Sequence, residues 1–432
     1  MRIRSATLFV LAFWLAAAGT SVHAQAKVRR HAAVTKNVST GFHSISAAEV
    51  ALLIEDVAAN NPKALEKLTD PANRKKQLDN LRDLLAYASQ AEKEGLGADP
   101  INKQELENLR AEITAIKYDK EINKKNAAAP PFSAIADARI TQFWAKPGSD
   151  AAFESFLNTK IAILHASDPT TAERQITPEE KEQARDIFAR TQIYLGDFES
   201  ARKNGTLPKK VIDRVDLQVK LQQAQMLARV YADEVATKTA ATDQEIAAYI
   251  ASHPDLDTSK RRILAQEILE RAKAGDDFAE LADRYTEDPG NEGEDGSKNG
   301  GLYKDVPLGR MVQPFETAAL GLKDGEVAPE LVESDFGFHI IKLERKGEKD
   351  GKMSYDVRHI LIATTVPNAS DPMGRAVPLK DYVRGEVEND KEQELLRTLI
   401  ISNGIVVPAD FKVPAVPATP AKATTRHSRR SR

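Results

Sequence analysis

The composition of this chain shifts near His253-Pro254, although the hydrophobic pattern stays helical as far as Tyr285 and only then changes. That change limits the folds the chain can adopt. Before this point apolar residues recur at helical spacing, as they do along residues 78–85. Beyond Tyr285 come a polar, Gly-rich loop over 286–301 and then short runs rich in Ile, Val and aromatic residues, which are typical of strands. The pattern predicts a mostly helical N-terminal module followed by a smaller α+β domain.

The sequence marks where several helices begin. In a capping box, a Ser or Thr caps the first turn and a Glu three residues later reaches back to it. Three such boxes are present, at Ser46–Glu49, Thr177–Glu180 and Thr242–Glu245. Asp70-Pro71 and Asp99-Pro100 add two starts in which Asp can cap and Pro suits the first turn. We therefore expect a helical module over 44–250, which could be broken near 127–131, and a C-terminal helix and strand over 380–410 that pack on it.

The two ends of the chain differ from the rest in composition. Arg2 and Arg4 precede an apolar run over 6–18, and small residues lead to Ala24, a layout typical of a secretory signal peptide over 1–24. The apolar run is shorter than the roughly 20 residues that span a bilayer, so we expect no stable membrane insertion after cleavage, with an uncleaved anchor as the alternative. Residues 25–43 are predicted to be a flexible linker, and the Pro/Ala-rich and then basic segment 412–432 a disordered tail.

Composition excludes several classes of function. A chain of 432 residues suggests two to four domains, and a net charge of -3 does not favour nucleic-acid binding. There is no cysteine, so no thiol nucleophile, thiolate ligand or disulfide is available. The sequence contains no His-Glu-x-x-His, P-loop or Gly-x-Ser-x-Gly pattern. We predict no metal and no cofactor.

Six short pieces between residues 278 and 342 carry the most specific signal. They are FAELA (278–282), YTED (285–288), NGGL (299–302), GRMVQPFE (309–316), GEV (325–327) and FGFHIIK (336–342). In order and spacing they closely resemble the parvulin family of peptidyl-prolyl isomerases, over residues 251–366. The helical segments resemble, more weakly, the chaperone module of SurA/PrsA-type folding factors.

The resemblance implies a fold, an activity and a set of site residues. The fold would be an FKBP-like α+β domain with a small antiparallel sheet. The activity would be cis-trans isomerisation of X-Pro bonds, without a cofactor, in unfolded or extended proline-containing polypeptides of exported proteins in the periplasm. The positions that match the family's catalytic groups are Asp288, His339 and Ser334, with His359 as the second histidine. Those that match or flank its proline pocket are Leu302, Met311, Phe315, Phe336 and Phe338.

The sequence departs from the family at one strand. Parvulins begin with a strand reading Arg-His-Ile-Leu, but here residues 261–271 have the pattern of a single helix, and Val357-Arg358-His359-Ile360-Leu361-Ile362 appears only after the last family strand. Either the domain is circularly permuted and 357–362 supplies the central strand, or His359 opens a second, truncated repeat. We favour permutation, because the sheet would otherwise lack its middle strand. The usual Gly-Asp-Leu-Gly pattern is also replaced, by Gly301-Leu302-Tyr303-Lys304.

The sequence therefore predicts a peptidyl-prolyl isomerase and chaperone. The alternative is a non-catalytic holdase that uses the parvulin fold only to bind peptides, and a weaker one is a structural envelope protein. Taken singly, each site residue also has an ordinary structural explanation. Met311 and Phe315 could be helix core residues, Asp288 a turn residue before Pro289, and His339 a structural histidine.

Overall fold

The computed structural model describes residues 41–124, 130–167, 175–293, 295–349, 351–367 and 376–414. The predicted signal peptide, nearly all of the predicted linker and tail, and residues 127–129 of the predicted break lie outside these ranges. The described chain divides into two compact units, one formed by the residues up to Lys238 together with those from Gln393, the other by Thr239–Glu392. The boundaries predicted from sequence, after residues 250 and 366, assign fewer residues to the second unit.

Unit 1 is helical. Its helices are α1 (Ala47–Asn60), α2 (Pro62–Leu68), α3 (Pro71–Lys93), α4 (Pro100–Ile122), α5 (Asp137–Trp144), α6 (Ser149–Ser167), α7 (Pro178–Lys203) and α8 (Lys209–Thr239). The main core joins apolar residues of α1, α3 and α8 to Leu396, Leu399 and Ile405 from the far end of the chain. The backbone N–H groups of Ile45 and Val406 also bond across this junction, to the carbonyls of Val406 and His43. The first and last parts of the described chain thus share one core.

Unit 2 is an α+β structure. Its helices are α9 (Asp243–Ser252), α10 (Ser259–Ala274), α11 (Phe278–Tyr285), α12 (Gln313–Gly321) and the first part of α13 (Leu379–Ser402). Its strands are β1 (Leu302–Pro307), β2 (Val332–Ser334), β3 (Gly337–Lys349), β4 (Lys352–Ala363), β5 (Thr365–Pro367) and β6 (Ala376–Pro378). The predicted fold class, a helical module with a small antiparallel sheet, is confirmed.

The predicted helix starts are present. Ser46, Thr177 and Thr242 cap α1, α7 and α9, and in each case the Glu three residues on completes the box. Asp70 and Asp99 accept backbone N–H bonds at the starts of α3 and α4. These starts were predictable because a cap involves only residues within one turn of each other. Among the described residues, no helix is both long and apolar enough to cross a membrane.

The four-stranded sheet has the order β1-β4-β3-β2, with every neighbouring pair antiparallel. The β3–β4 hairpin is therefore confirmed, and residues 357–362 form the interior strand that the permuted arrangement requires. Because β4 pairs with both β1 and β3, it cannot be the opening strand of a separate second repeat, and that alternative is wrong. Residues 261–271 lie within the single helix α10, also as predicted.

The two faces of the sheet pack against different helices. Phe338, Ile340 and Ile360 belong to a core with α10 and α11. Ile341 and Val357, on neighbouring positions of the same strands, belong to a core with α12. This division follows from the period of two along a strand, which sends successive side chains to opposite faces. It decides which predicted site residues can meet.

Gly301 provides a test of how closely β4 approaches the loop before β1. A Cβ at this position would overlap the carbonyl oxygen of His359 and lie 3.0 Å from the Cβ of Ala282, at a φ of +70°. Gly309 has a similar φ of +79° but no atom within 4 Å of such a Cβ. We expect Gly301→Ala to lower the free energy of unfolding by about 3 kcal/mol and Gly309→Ala by about 1 kcal/mol, as measured by urea unfolding. Equal losses of unfolding free energy in the two variants would show that only the backbone conformation matters at Gly301.

Candidate active site

Four side chains from separate elements converge on the α12 face of the sheet. Ser334 ends β2, His339 lies in β3, His359 in β4, and Asp288 follows α11. In the β3–β4 ladder His339 pairs with Leu361 and Ile341 pairs with His359, so the two histidines are diagonal neighbours on one face. Their rings are stacked with centroids 5.5 Å apart. The register of the hairpin therefore brings together the histidine pair expected from the resemblance.

These groups form a continuous hydrogen-bonded series. Ser334 Oγ lies 2.7 Å from His339 Nε2, and His339 Nδ1 lies 3.4 Å from His359 Nδ1. At the other end, His359 Nε2 lies 2.7 Å from Asp288 Oδ2. Tyr303 Oη donates to the same Asp288 oxygen at 2.6 Å. The series thus runs from a hydroxyl through two imidazoles to a carboxylate and a phenol.

When both imidazoles are neutral, one assignment of protons satisfies every bond in the series. Asp288 as a carboxylate only accepts, so His359 carries its proton on Nε2 and its Nδ1 accepts. His339 must then donate from Nδ1 and accept at Nε2 from the hydroxyl of Ser334. The backbone N–H of Phe336 donates to that hydroxyl oxygen at 3.1 Å. Protonation of His359 would reverse the imidazole–imidazole bond and carry the change to Ser334.

The surroundings fix the charge states of the buried members. Burial alone would raise the pKa of Asp288, but hydrogen bonds from His359, Tyr303 and the Gly290 N–H hold it well below its ordinary value. Burial, reinforced by His359, lowers the pKa of His339 to about 3, against a weaker opposing effect of Asp288. Burial and the neighbouring carboxylate raise the pKa of Tyr303. Near pH 7 the site holds an ionised Asp288, a neutral His339 and a neutral Tyr303.

An apolar wall borders the histidine pair. Phe315 of α12 is 2% exposed, and its ring meets His339 and His359 edge-on at centroid distances of 5.4 Å and 5.1 Å. Met311 packs on the same core and is half-buried. Phe315 thus lies directly beside the polar series, and Met311 packs on the core to which Phe315 belongs.

Two residues predicted to bind substrate lie on the other face of the sheet, whereas a third, Phe336, donates its backbone N–H to Ser334 of the series. Phe338 lies in the core on the opposite face, because it is one residue away from His339 along β3. Leu302 pairs with Arg358 whereas Tyr303 pairs with Val357, so strand alternation directs Leu302 away from the face that carries the site. Phe336 stands in the turn before β3 with 45% of its surface exposed.

Sequence reasoning missed Tyr303. The departure at Gly301-Leu302-Tyr303-Lys304 was visible, but Leu302 was assigned to the pocket. Counting positions against Gly-Asp-Leu-Gly would have placed Tyr303, and not Leu302, at the family's Leu. The Asp288–Tyr303 bond itself joins residues 15 positions apart and could not be inferred from local pattern.

The neutral state of His339 gives the protein a specific dependence on pH. The folded pKa of His339, about 3, lies below its ordinary value of 6.5. As the pH falls below about 6.5, the unfolded chain therefore binds a proton that the folded protein does not, and the free energy of unfolding falls by up to about 1.4 kcal/mol per pH unit. Above that pH His339 contributes no slope.

We expect the free energy of unfolding of wild type, measured by urea unfolding, to fall by about 2 kcal/mol between about pH 7.5 and about pH 5 because of His339. This contribution should be absent in His339→Gln. The same slope in His339→Gln as in wild type would contradict a buried, neutral His339.

Comparison with known proteins identifies the domain that carries this site. Residues 246–345 match the rotamase family model, described as a PPIC-type PPIASE domain. The match ends before β4, so the strand that supplies His359 lies beyond the matched range.

Similar proteins include two foldases and a chaperone. The chain is 38% identical over 131 residues to "Foldase protein PrsA 4" of Bacillus cereus, covering 29% of this chain and 44% of that protein. It is 39% identical over 113 residues to "Foldase protein PrsA" of Geobacillus sp., covering 25% and 39%. It is 35% identical over 137 residues to "Chaperone SurA" of Alcanivorax borkumensis, covering 31% and 30%. The chain thus spans less than half the length of these relatives, and residues 246–345 belong to the family of PPIC-type, or parvulin, peptidyl-prolyl isomerase domains.

Proposed function

We propose that this protein is a peptidyl-prolyl cis-trans isomerase and chaperone that assists the folding of exported proteins. The observation that carries the proposal is the juxtaposition, in the unit that contains the PPIC-type domain, of the series Ser334–His339–His359–Asp288 and the apolar side chains of Phe315 and Met311. The apolar side chains can hold a proline ring, and the polar series can act on the amide beside it.

The chemistry requires neither a nucleophile nor a cofactor. Rotation about a peptide bond has a barrier of about 18–20 kcal/mol because the C–N bond has partial double-bond character. In the twisted transition state this resonance is lost and the charges on the amide nitrogen and oxygen change. Phe315 and Met311 would fix the proline ring while the carboxylate and imidazoles provide a preorganised field that favours the twisted amide. The groups tune the electrostatics of the bond and transfer no proton outright.

The substrates we propose are unfolded or extended proline-containing segments of exported proteins, and the location the periplasm. Support comes from the names of the similar proteins, a chaperone and foldases, and from the signal-peptide pattern of residues 1–24. An isomerase that meets such segments before they fold would act on the slow X-Pro step, which takes tens to hundreds of seconds without catalysis.

A non-catalytic holdase is the second candidate, and a feature of unit 1 favours it. A cleft of about 180 Å³ between α4, α6 and α7 is lined in part by Phe156 and Phe188. Ile116 and Ile187 border it with 40% and 54% of their surfaces exposed. An apolar cleft with exposed aliphatic edges can bind apolar segments of a client without any isomerisation.

Substitution of Asp288 tests catalysis. Asp288→Ala removes the carboxylate that orients His359, so we expect kcat/KM for a proline-containing peptide to fall at least tenfold, at the lower end of what positioned electrostatic groups contribute. Isomerisation would be followed by a direct spectroscopic assay that needs no protease. Asp255→Ala, at an exposed position of the same unit, should keep wild-type activity.

The same proteins would then be tested for suppression of aggregation of a denatured client. If wild-type protein suppresses aggregation but does not accelerate isomerisation above background, the isomerase function is refuted and the holdase function remains.

A further inference from the structure

Tyr303 shares the carboxylate of Asp288 with His359. The phenol hydroxyl of Tyr303 and Nε2 of His359 approach the same oxygen, Asp288 Oδ2, at 2.6 Å and 2.7 Å. The other oxygen, Oδ1, accepts the backbone N–H of Gly290 at 3.1 Å. With three donors on two oxygens, the carboxylate cannot rotate without breaking a bond. Tyr303 therefore restricts the group that orients His359.

The Tyr303 ring also contacts the histidine that its hydroxyl helps to position. Its centroid lies 5.3 Å from that of His359, with the ring planes inclined at 51°. It packs on the core formed by Phe315, Val357 and Ile341. The ring is thus held by His359 and by this core, and their packing sets the direction of its hydroxyl.

The loop that carries Asp288 is built to admit this hydroxyl. A Cβ on Gly290 would overlap Tyr303 Oη and lie 2.8 Å from Tyr303 Cζ, whereas its next contact is Asp288 Oδ1 at 3.5 Å. The φ of Gly290 is not in the left-handed region that favours glycine. Space for Tyr303, and not backbone strain, is therefore what glycine provides at this position.

The position of Tyr303 corresponds to Leu in the Gly-Asp-Leu-Gly pattern that this chain lacks. A leucine side chain cannot donate a hydrogen bond, so a chain with leucine here would leave Asp288 Oδ2 to the histidine alone. Tyr303, for which Gly290 leaves space, is thus a departure of this chain from the family pattern.

We propose that Tyr303 is a positioning residue for X-Pro isomerisation, which fixes Asp288 so that His359 keeps its Nε2 proton directed at the carboxylate. The inference rests on the proposed isomerase function and adds a residue to its site. Through His359 and His339, a fixed Asp288 determines the donor and acceptor pattern along the series as far as Ser334.

Tyr303→Phe tests the hydroxyl while it keeps the ring. We expect kcat/KM to fall about tenfold, because the carboxylate can then rotate away from His359. Tyr285→Phe is the matched control, since the Tyr285 hydroxyl bonds Arg271 at the surface and is not part of the site. Unchanged activity in Tyr303→Phe would overturn the proposal.

Nitrogen NMR of the imidazole of His359 separates positioning from a merely structural role. In wild type we expect the Nε2–H tautomer to predominate, and in Tyr303→Phe a mixture of the two tautomers. An unchanged tautomer in a well-folded Tyr303→Phe would overturn the proposal even if activity fell. Tyr285→Phe should give the wild-type spectrum.

A double-mutant cycle tests the fit of Gly290 around Tyr303 without any assay of activity. Gly290→Ala should lower the folded-to-unfolded ratio at least about tenfold in the wild-type background and less than about threefold in Tyr303→Leu. Gly321→Ala, with no atom within 4 Å of the added Cβ, should have the same effect in both backgrounds. Equal losses from Gly290→Ala in both backgrounds would overturn the proposed coupling.

These outcomes distinguish failure of the inference from failure of the proposed function. Wild-type protein without isomerase activity would refute the function, yet the tautomer of His359 and the cycle would still show whether Tyr303 holds Asp288. An active wild-type enzyme whose Tyr303→Phe variant is equally active would refute the role of Tyr303 alone.

Discussion

The pairing of β3 with β4 is the interaction on which the rest of unit 2 depends. It joins the two strands whose alternate residues fill both cores of the domain, and it is also what aligns His339 with His359. Because side chains alternate with a period of two, a slip of one residue in this ladder would move His359 to the other face and exchange the β4 residues that fill the two cores. Stability and site geometry are therefore determined by the same register, and the buried cores select it strongly.

The polar series can remain buried because each of its members has a partner. His339 and His359 are only 5% and 6% exposed, and an unpaired polar group at such depth would cost about 1–3 kcal/mol. Here each imidazole has a partner at both of its ring nitrogens, and Asp288 accepts from three donors, so every polar atom of these side chains is hydrogen-bonded. Such a satisfied network is rigid, and a rigid arrangement of charges and dipoles is what an electrostatic account of isomerisation requires.

The sequence predicted features that depend on neighbours along the chain or on a whole strand. The helix starts at Ser46, Thr177 and Thr242 are local, and the central place of β4 followed from a missing strand at 261–271 and a surplus one at 357–362. The predictions from sequence failed where a shift of one residue changes the face of a strand on which a side chain lies. Leu302 was chosen instead of Tyr303, and Phe338 was included beside His339, although the period of two separates each pair. Which residues of β1 face the site could not be predicted, because a loop precedes β1 and its register shifts between Tyr303 and Val306. Only the pairing of β1 with β4 shows it.

The late position of β4 in the chain has a consequence for the order of folding. When a polypeptide is synthesised from its N-terminus onward, β1, β2 and β3 are all available before β4, the strand that must lie between β1 and β3. The core of unit 1 likewise waits for Leu396, Leu399 and Ile405, which come from the far end of the described chain. Both units are completed by contacts between residues far apart in the sequence. Such contacts slow folding, because the chain loses conformational entropy before the contacts can stabilise it. A protein proposed to hasten the maturation of other chains would thus itself acquire its native form only after β4 and Ile405 had emerged.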